Sequence, residues 1–151
     1  MRIDRLFTRR IVATRRSAPI AEAAAAMQRF EVGSLLVMED PPASGDPIGI
    51  VTDRDLALQG FASEASTVGS VMTPIIATVG EEADVHEALE IMRAHGVRRL
   101  LVTGTGGGLR GILSIDDVID GLSTDLAAAA SVLKGEIRRD SGGLGDVKVG
   151  G

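Results

Sequence analysis

The sequence predicts a mixed α+β member of the α/β class: tandem β-α-β-β-α units packed sheet to sheet as one pseudo-twofold module. Three observations predict it. Five sequence blocks recur in order along the chain, apolar residues fall at helical spacing within them, and short apolar runs entered through glycine alternate with those stripes. The chain of 151 residues has room for one compact domain or two very small ones.

The recurrence is clearest between GIVTDRDL (49–56) and GILSIDDV (111–118), where Gly49, Thr52 and Asp55 meet Gly111, Ser114 and Asp117 at one offset of 62. Upstream, PIAEAAAAM (19–27) aligns with DVHEALEIM (84–92), and VGSLLV (32–37) with VRRLLV (97–102), both at an offset of 65. The difference comes from PPASGDP (41–47), which lengthens the first connection by three residues. RIVAT (10–14) matches PIIAT (74–78), and Phe7-Thr8 matches Met72-Thr73. Blocks kept in order mark a duplicated unit of roughly 60 residues.

Each block has a structural reading. Val85, Ala88, Leu89 and Met92 occupy one face of a helix, and Ala23, Met27 and Phe30 repeat that face in the first copy. SLLVM (34–38) and LLV (100–102) read as buried strands, with Gly-Ile-Val and Gly-Ile-Leu as second strands. Thr52 and Ser114 then open helices as N-caps, each with an acid three residues on. The glycines of Gly104–Gly108 lack the Gly-Lys-Ser/Thr ending of a phosphate-binding loop and read as a hairpin turn. Beyond the second unit, Leu122, Leu126, Ala129, Leu133 and Ile137 form a stripe that needs a partner, its own module or another chain. The expected organisation is unit 1 at 1–62, a linker at 63–70, unit 2 at 71–122, a helix extension at 123–139 and a flexible Gly-rich tail at 140–151.

Composition narrows the function classes. Hydrophobic residues are 44% and charged residues 25%, ordinary for a globular protein, while aromatics are 2%, so the core rests on Ala, Val, Leu, Ile and Met. No apolar run approaches the roughly 20 residues that cross a bilayer, so no membrane partner is expected. The N-terminus does not read as a secretory signal. The lack of cysteine excludes disulfide and thiolate chemistry and fits a cytoplasmic location. A net charge of −5 argues against a nucleic-acid partner, yet residues 1–16 hold six arginines against the single acid Asp4, so that segment is +5 and the remainder −10. That segment reads as a solvated arm or a local anion contact. His86 and His95 would face opposite sides of a helix, which disfavours a shared metal, and no nucleophile motif is present, so no catalysis is expected.

Ser/Thr-x-x-Asp at a helix start is by itself a capping arrangement. Its setting is more specific. VMTPIIATV (71–79), VHEALEIM (85–92), GVRRLLV (96–102) and GILSIDDV (111–118), with AEAAAAM (21–27), VGSLLV (32–37) and GIVTDRDL (49–56), together resemble the CBS domain, named after cystathionine β-synthase. Two in tandem resemble a Bateman module, over about residues 1–122. Phe7 stands where the family usually has Met, and Leu36 and Leu101 where it often has Pro.

The resemblance implies two clefts between units that bind AMP, ADP, ATP, S-adenosylmethionine or a dinucleotide, with no tightly bound cofactor. It implies that Thr52 with Asp55, and Ser114 with Asp117, face the ligand, the carboxylates taking the ribose diol. Arg98 and Arg99 correspond to basic positions on phosphate; strand alternation would allow at most one into a given cleft, and Arg99 is preferred. Backbone near Val12-Ala13 and Ile76-Ala77 would bracket the base, Arg54 would reach a phosphate, and Arg15-Arg16 would flank one cleft. The expected protein is a non-catalytic regulatory module, a homodimer assembled as a flat disc, that signals ligand occupancy to a regulated partner. The alternative is a ligand-free scaffold for self-association or protein interaction.

Overall fold

The computed structural model describes residues 1–40, 45–59, 66–75 and 77–141, with side chains through residue 135. A 3-10 turn, Ile3–Arg5, precedes β1 (Ala13–Arg15), α1 (Ile20–Phe30), β2 (Ser34–Met38), β3 (Pro47–Thr52) and α2 (Asp53–Gln59). The second half follows with α3 (Val68–Val71), β4 (Thr73–Pro74), β5 (Thr78–Gly80), α4 (Val85–His95), β6 (Arg99–Thr103), β7 (Leu109–Ser114) and α5 (Ile115–Ser141). Each half therefore contains the strand-helix-strand-strand-helix order that its periodicities predict.

Helices α1 and α4 show how closely the copies agree. Each has 11 residues and closes through the same bond, Val32 N–H to the Met27 carbonyl and Val97 N–H to the Met92 carbonyl, both 3.0 Å. Both ends need a left-handed residue. Gly96 supplies it at φ 64°, but the first copy uses Glu31 at φ 54°, a conformation in which a side chain is strained. Ala23 and Met27 are buried as expected, whereas Phe30 is 37% exposed with the Arg29 guanidinium 5.3 Å from its ring. Phe30 is the last residue of α1, where the apolar face runs out.

Strand β1 pairs parallel with β2, which pairs antiparallel with β3; β5, β6 and β7 repeat this order. The register slips at Val37/Met38 in one copy and at Val102/Thr103 in the other. Gly104–Gly108 is the hairpin turn between β6 and β7, closed by the Gly104 N–H on the Gly108 carbonyl at 2.9 Å.

The sheets do not respect the boundary between copies. Strand β4 belongs to the second repeat but pairs with β3 of the first, Gly49 against Pro74 and Ile50 against Thr73. Reciprocally, Thr8 pairs with Ile112 on β7 through two backbone bonds of 2.9 and 3.1 Å. The cores are exchanged likewise. Ile3 and Phe7 are buried with Val79, Val85, Ala88, Met92, Leu100 and Val118, while Val68 and Val71 are buried with Ala23, Met27, Leu35, Val51 and Leu56. Between them Leu36, Ile50 and Leu101 join Ile11, Ile75 and Ile112, so the two units meet sheet to sheet.

This exchange explains the duplicated glycine. A Cβ at Gly111 would stand 2.3 Å from the Thr8 carbonyl oxygen and 2.5 Å from the Phe7 ring, and one at Gly49 would stand 2.6 Å from the Met72 sulfur. Each glycine is where the other copy's opening segment crosses a strand. It also alters the expected linker: Val68 onward is helix with Val68 fully buried, because that segment fills the first core. Residues 60–65 and the Gly-rich tail from 142 lie outside the described residues.

Ile115 and Val118 anchor α5 to the second core, after which Ile119, Leu122, Leu126 and Leu133 are exposed. The expected stripe is thus uncovered by the described residues, with the Ile137 side chain outside them. Among the described residues, no helix is long and apolar enough to cross a membrane.

Candidate functional site: two clefts between the units

The repeated hydroxyl and carboxylate form reciprocal capping boxes. The Thr52 N–H donates to Asp55 Oδ2 at 2.9 Å, and the Asp55 N–H donates to Thr52 Oγ1 at 3.1 Å. Ser114 and Asp117 repeat this with both bonds at 3.1 Å. Thr52 is 7% exposed, and Asp55 and Asp117 are half-buried. A carboxylate has about four acceptor positions, so capping leaves capacity on each.

Each box borders a cleft whose other walls come from the other repeat. The first, of about 220 Å³, is lined by Ile50, Thr52 and Asp55 on one side and by Thr73–Ile75 and Gly96–Arg99 on the other. The second, of about 430 Å³, sets Ile112, Ser114 and Asp117 against Thr8, Arg10, Ile11, Val12 and Glu31–Ser34, with Arg99 also in its wall. The connections between helix and strand are held by matching bonds, Asp53 N–H to the Gly33 carbonyl at 3.0 Å and Ile115 N–H to the Arg98 carbonyl at 2.9 Å.

The charges differ. The first cleft has Arg98 and Arg99 against Asp55, an excess of positive charge; the second has Arg10 and Arg99 against Glu31 and Asp117, a balance. Both walls are otherwise aliphatic, from Ile50, Ile75 and Val97 in one and Ile11, Val12, Val32 and Ile112 in the other. A carboxylate beside a hydroxyl accepts hydrogen bonds from a diol, a guanidinium takes a phosphate through paired N–H donors, and aliphatic walls hold a flat ring. Among the described residues no group of three or more His, Asp or Glu side chains is placed to hold a metal ion.

Of the residues singled out by sequence, Thr52, Asp55, Ser114, Asp117, Arg98, Arg99 and Val12 border the clefts. The expectation that only one of Arg98 and Arg99 could reach a given cleft is corrected: both border the first. Strand β6 begins at Arg99, so Arg98 lies in the connection after α4, where strand alternation does not apply. Arg54 is exposed on the first turn of α2 and borders neither cleft, its backbone N–H bonded to Asp53 Oδ1 at 2.8 Å. Ala13 is exposed on β1 and Ala77 is buried in the second core, so neither lines a cleft; Ile76 lies outside the described residues. Arg15 and Arg16 line neither, and Arg16 pairs with Glu39 at 3.4 Å. Arg10, Glu31 and the Thr73–Ile75 segment are cleft residues the sequence reading did not single out. The matching blocks around Thr8 and Thr73 marked those positions as repeated, but only the exchange between copies places them opposite the partner carboxylate.

Paired βαββα repeats that trade opening segments and enclose a cleft on either side of their seam define a two-repeat module, one folded body from two copies. The model of the CBS domain matches residues 3–59 and 68–124. The chain belongs to the CBS domain family, with two copies in tandem.

Its relatives include an uncharacterized protein of Methanopyrus kandleri, 31% identical over 102 residues, covering 65% of this chain and 50% of that one. The inosine-5'-monophosphate dehydrogenase of Thermoplasma acidophilum is 32% identical over 101 residues, 67% of this chain and 19% of the enzyme. The chain thus spans half the length of the first and about a fifth of the second. Among solved structures, a CBS domain protein from Pyrobaculum aerophilum complexed with AMP is 27% identical, with TM-score 0.60 over 78% of this chain and 89% of that one.

Proposed function

We propose that the chain is a non-catalytic regulatory module that binds an adenine nucleotide or related adenosine ligand between its repeats and signals occupancy to a partner. One observation carries this reading: the first cleft sets Asp55 and Thr52 across from Arg98 and Arg99 between aliphatic walls, a site for diol, phosphate and ring together. The AMP complex of the Pyrobaculum relative supports the ligand class, and the match to part of a nucleotide-metabolising dehydrogenase supports a regulatory role.

Thermal melts with AMP, ADP, ATP and S-adenosylmethionine test it. A ligand at 100 times its Kd stabilises by about 2.7 kcal/mol. Asp55→Asn keeps an oxygen for the cap but loses the charged contact to the diol, which costs about 1.5–3 kcal/mol, or ten- to 150-fold in affinity. Melting curves unmoved by all four ligands would refute the reading.

The exposed face of α5 favours a second reading, self-association with another copy of this chain. Ile119, Leu122, Leu126, Ala129 and Leu133 are spaced 3, 4, 3 and 4 and are all exposed, the seam of a two-helix coiled coil. Asp116, Asp120 and Asp125 precede Lys134, so antiparallel helices bring acidic against basic ends. Sedimentation of Leu126→Glu checks it: a homodimer of the parent chain shifts to monomer, and an unchanged mass refutes this seam.

A further inference from the structure

We infer that Arg99 is shared between the two clefts, so that an anionic ligand in one weakens anion binding in the other. This rests on the proposed reading of the clefts as nucleotide sites. Among the described residues that line the clefts, Arg99 alone is common to both. It opens β6 directly opposite Ser114, the residue that heads the second cleft, and it follows the Gly96–Arg98 connection that walls the first. It is half-buried, and its guanidinium makes no hydrogen bond or ion pair with any described residue.

The duplication shows why this position couples the sites. The first-copy counterpart of Arg99 is Ser34, which lies opposite Thr52 and borders the second cleft only. A serine has neither the reach nor the charge to serve two sites, whereas an arginine has both. The two cleft carboxylates therefore share Arg99, while Arg98 borders the first cleft alone and Arg10 the second alone.

The clefts do not depend on it equally. Without Arg99 the first still sets Arg98 against Asp55, but the second is left with Arg10 against two carboxylates, Glu31 and Asp117. The first anionic ligand therefore occupies the Thr52/Asp55 cleft and draws Arg99 to it, and the second cleft then meets its ligand with an excess of negative charge. Coupling between sites is reciprocal and commonly about 5- to 150-fold.

Isothermal titration of the full chain with AMP, and with adenosine as the same group without phosphate, tests the inference. Parent protein should bind AMP in two steps separated by about 5- to 150-fold, and adenosine without that separation. In Asp55→Asn, which weakens the first cleft, the second should bind AMP more tightly than the weak step of the parent. In Arg99→Ala, or Arg99→Gln where the alanine variant melts early, adding Asp55→Asn should no longer change the second-cleft affinity, although the clefts keep unequal affinities because Arg98 stays in the first and Glu31 in the second. A second-cleft affinity equal in parent and Asp55→Asn, or an effect of Asp55→Asn on it that survives loss of Arg99, overturns the sharing while leaving nucleotide binding intact. Failure of both AMP and adenosine to bind at all overturns the nucleotide reading, and the inference with it.

Discussion

Replacing Gly111 by alanine should damage this fold far more than replacing its counterpart Gly49. The added methyl at 111 would lie 2.3 Å from the Thr8 carbonyl oxygen, about 1 Å inside an ordinary carbon–oxygen contact. That oxygen belongs to backbone held by two hydrogen bonds to Ile112, and the neighbouring Phe7 ring lies 2.5 Å away, so the opening segment itself must retreat. At 49 the nearest atom is the Met72 sulfur at 2.6 Å, the far end of a side chain with many rotamers, while the Thr73 carbonyl oxygen lies 3.0 Å away. Overpacking costs about 1–3 kcal/mol, with Gly111→Ala at the upper end and Gly49→Ala near the lower. In a chain of this size about 3 kcal/mol lowers Tm by roughly 6–12 °C. Urea titrations followed by far-UV circular dichroism give both values by linear extrapolation. Equal losses, or a larger loss for Gly49→Ala, would refute the crossing of β7 by the first residues of the chain.

Three further outcomes follow from the geometry. Glu31→Gly should stabilise the protein by about 1 kcal/mol in the same titration, since glycine relieves the left-handed strain at φ 54°. Ile3→Ala should cost about 2–5 kcal/mol despite its place at the chain start, because Ile3 is fully buried in the second core. The Asp84 carboxyl is held below its ordinary value of 3.8, chiefly by the His86 backbone N–H and then by the Met1 ammonium. A lowered carboxyl stabilises the fold above its ordinary pKa, and that contribution disappears as pH falls through the lowered value. The Tm gap between parent and Asp84→Asn should therefore be full at pH 7 and narrow as acid takes the pH below 3.8; a gap constant with pH would contradict this.

The parts of the molecule that could be read from sequence are those set by local spacing. Helix α4 announces itself through Val85, Ala88 and Met92, and both capping boxes follow from a hydroxyl and an acid three residues apart. What escaped was non-local. Nothing in MRIDRLF shows that Ile3 and Phe7 enter the core of the opposite copy, nor that Thr73 and Pro74 extend a sheet built more than twenty residues earlier. Arg98 was misread for a smaller reason, a strand boundary one residue later than alternation assumed. Only resemblance, and no local pattern, points Ala77 to a base, and its side chain is only 9% exposed and packs into the second core.

The interlocking of the two halves constrains how such a chain can be divided. A fragment ending near residue 62 would present Ile3 and Phe7 with no hydrophobic slot to enter and leave unfilled the space that Val68 and Val71 occupy. Two such fragments could complete each other only by clasping as a pair, so the halves of the intact polypeptide should melt as one unit.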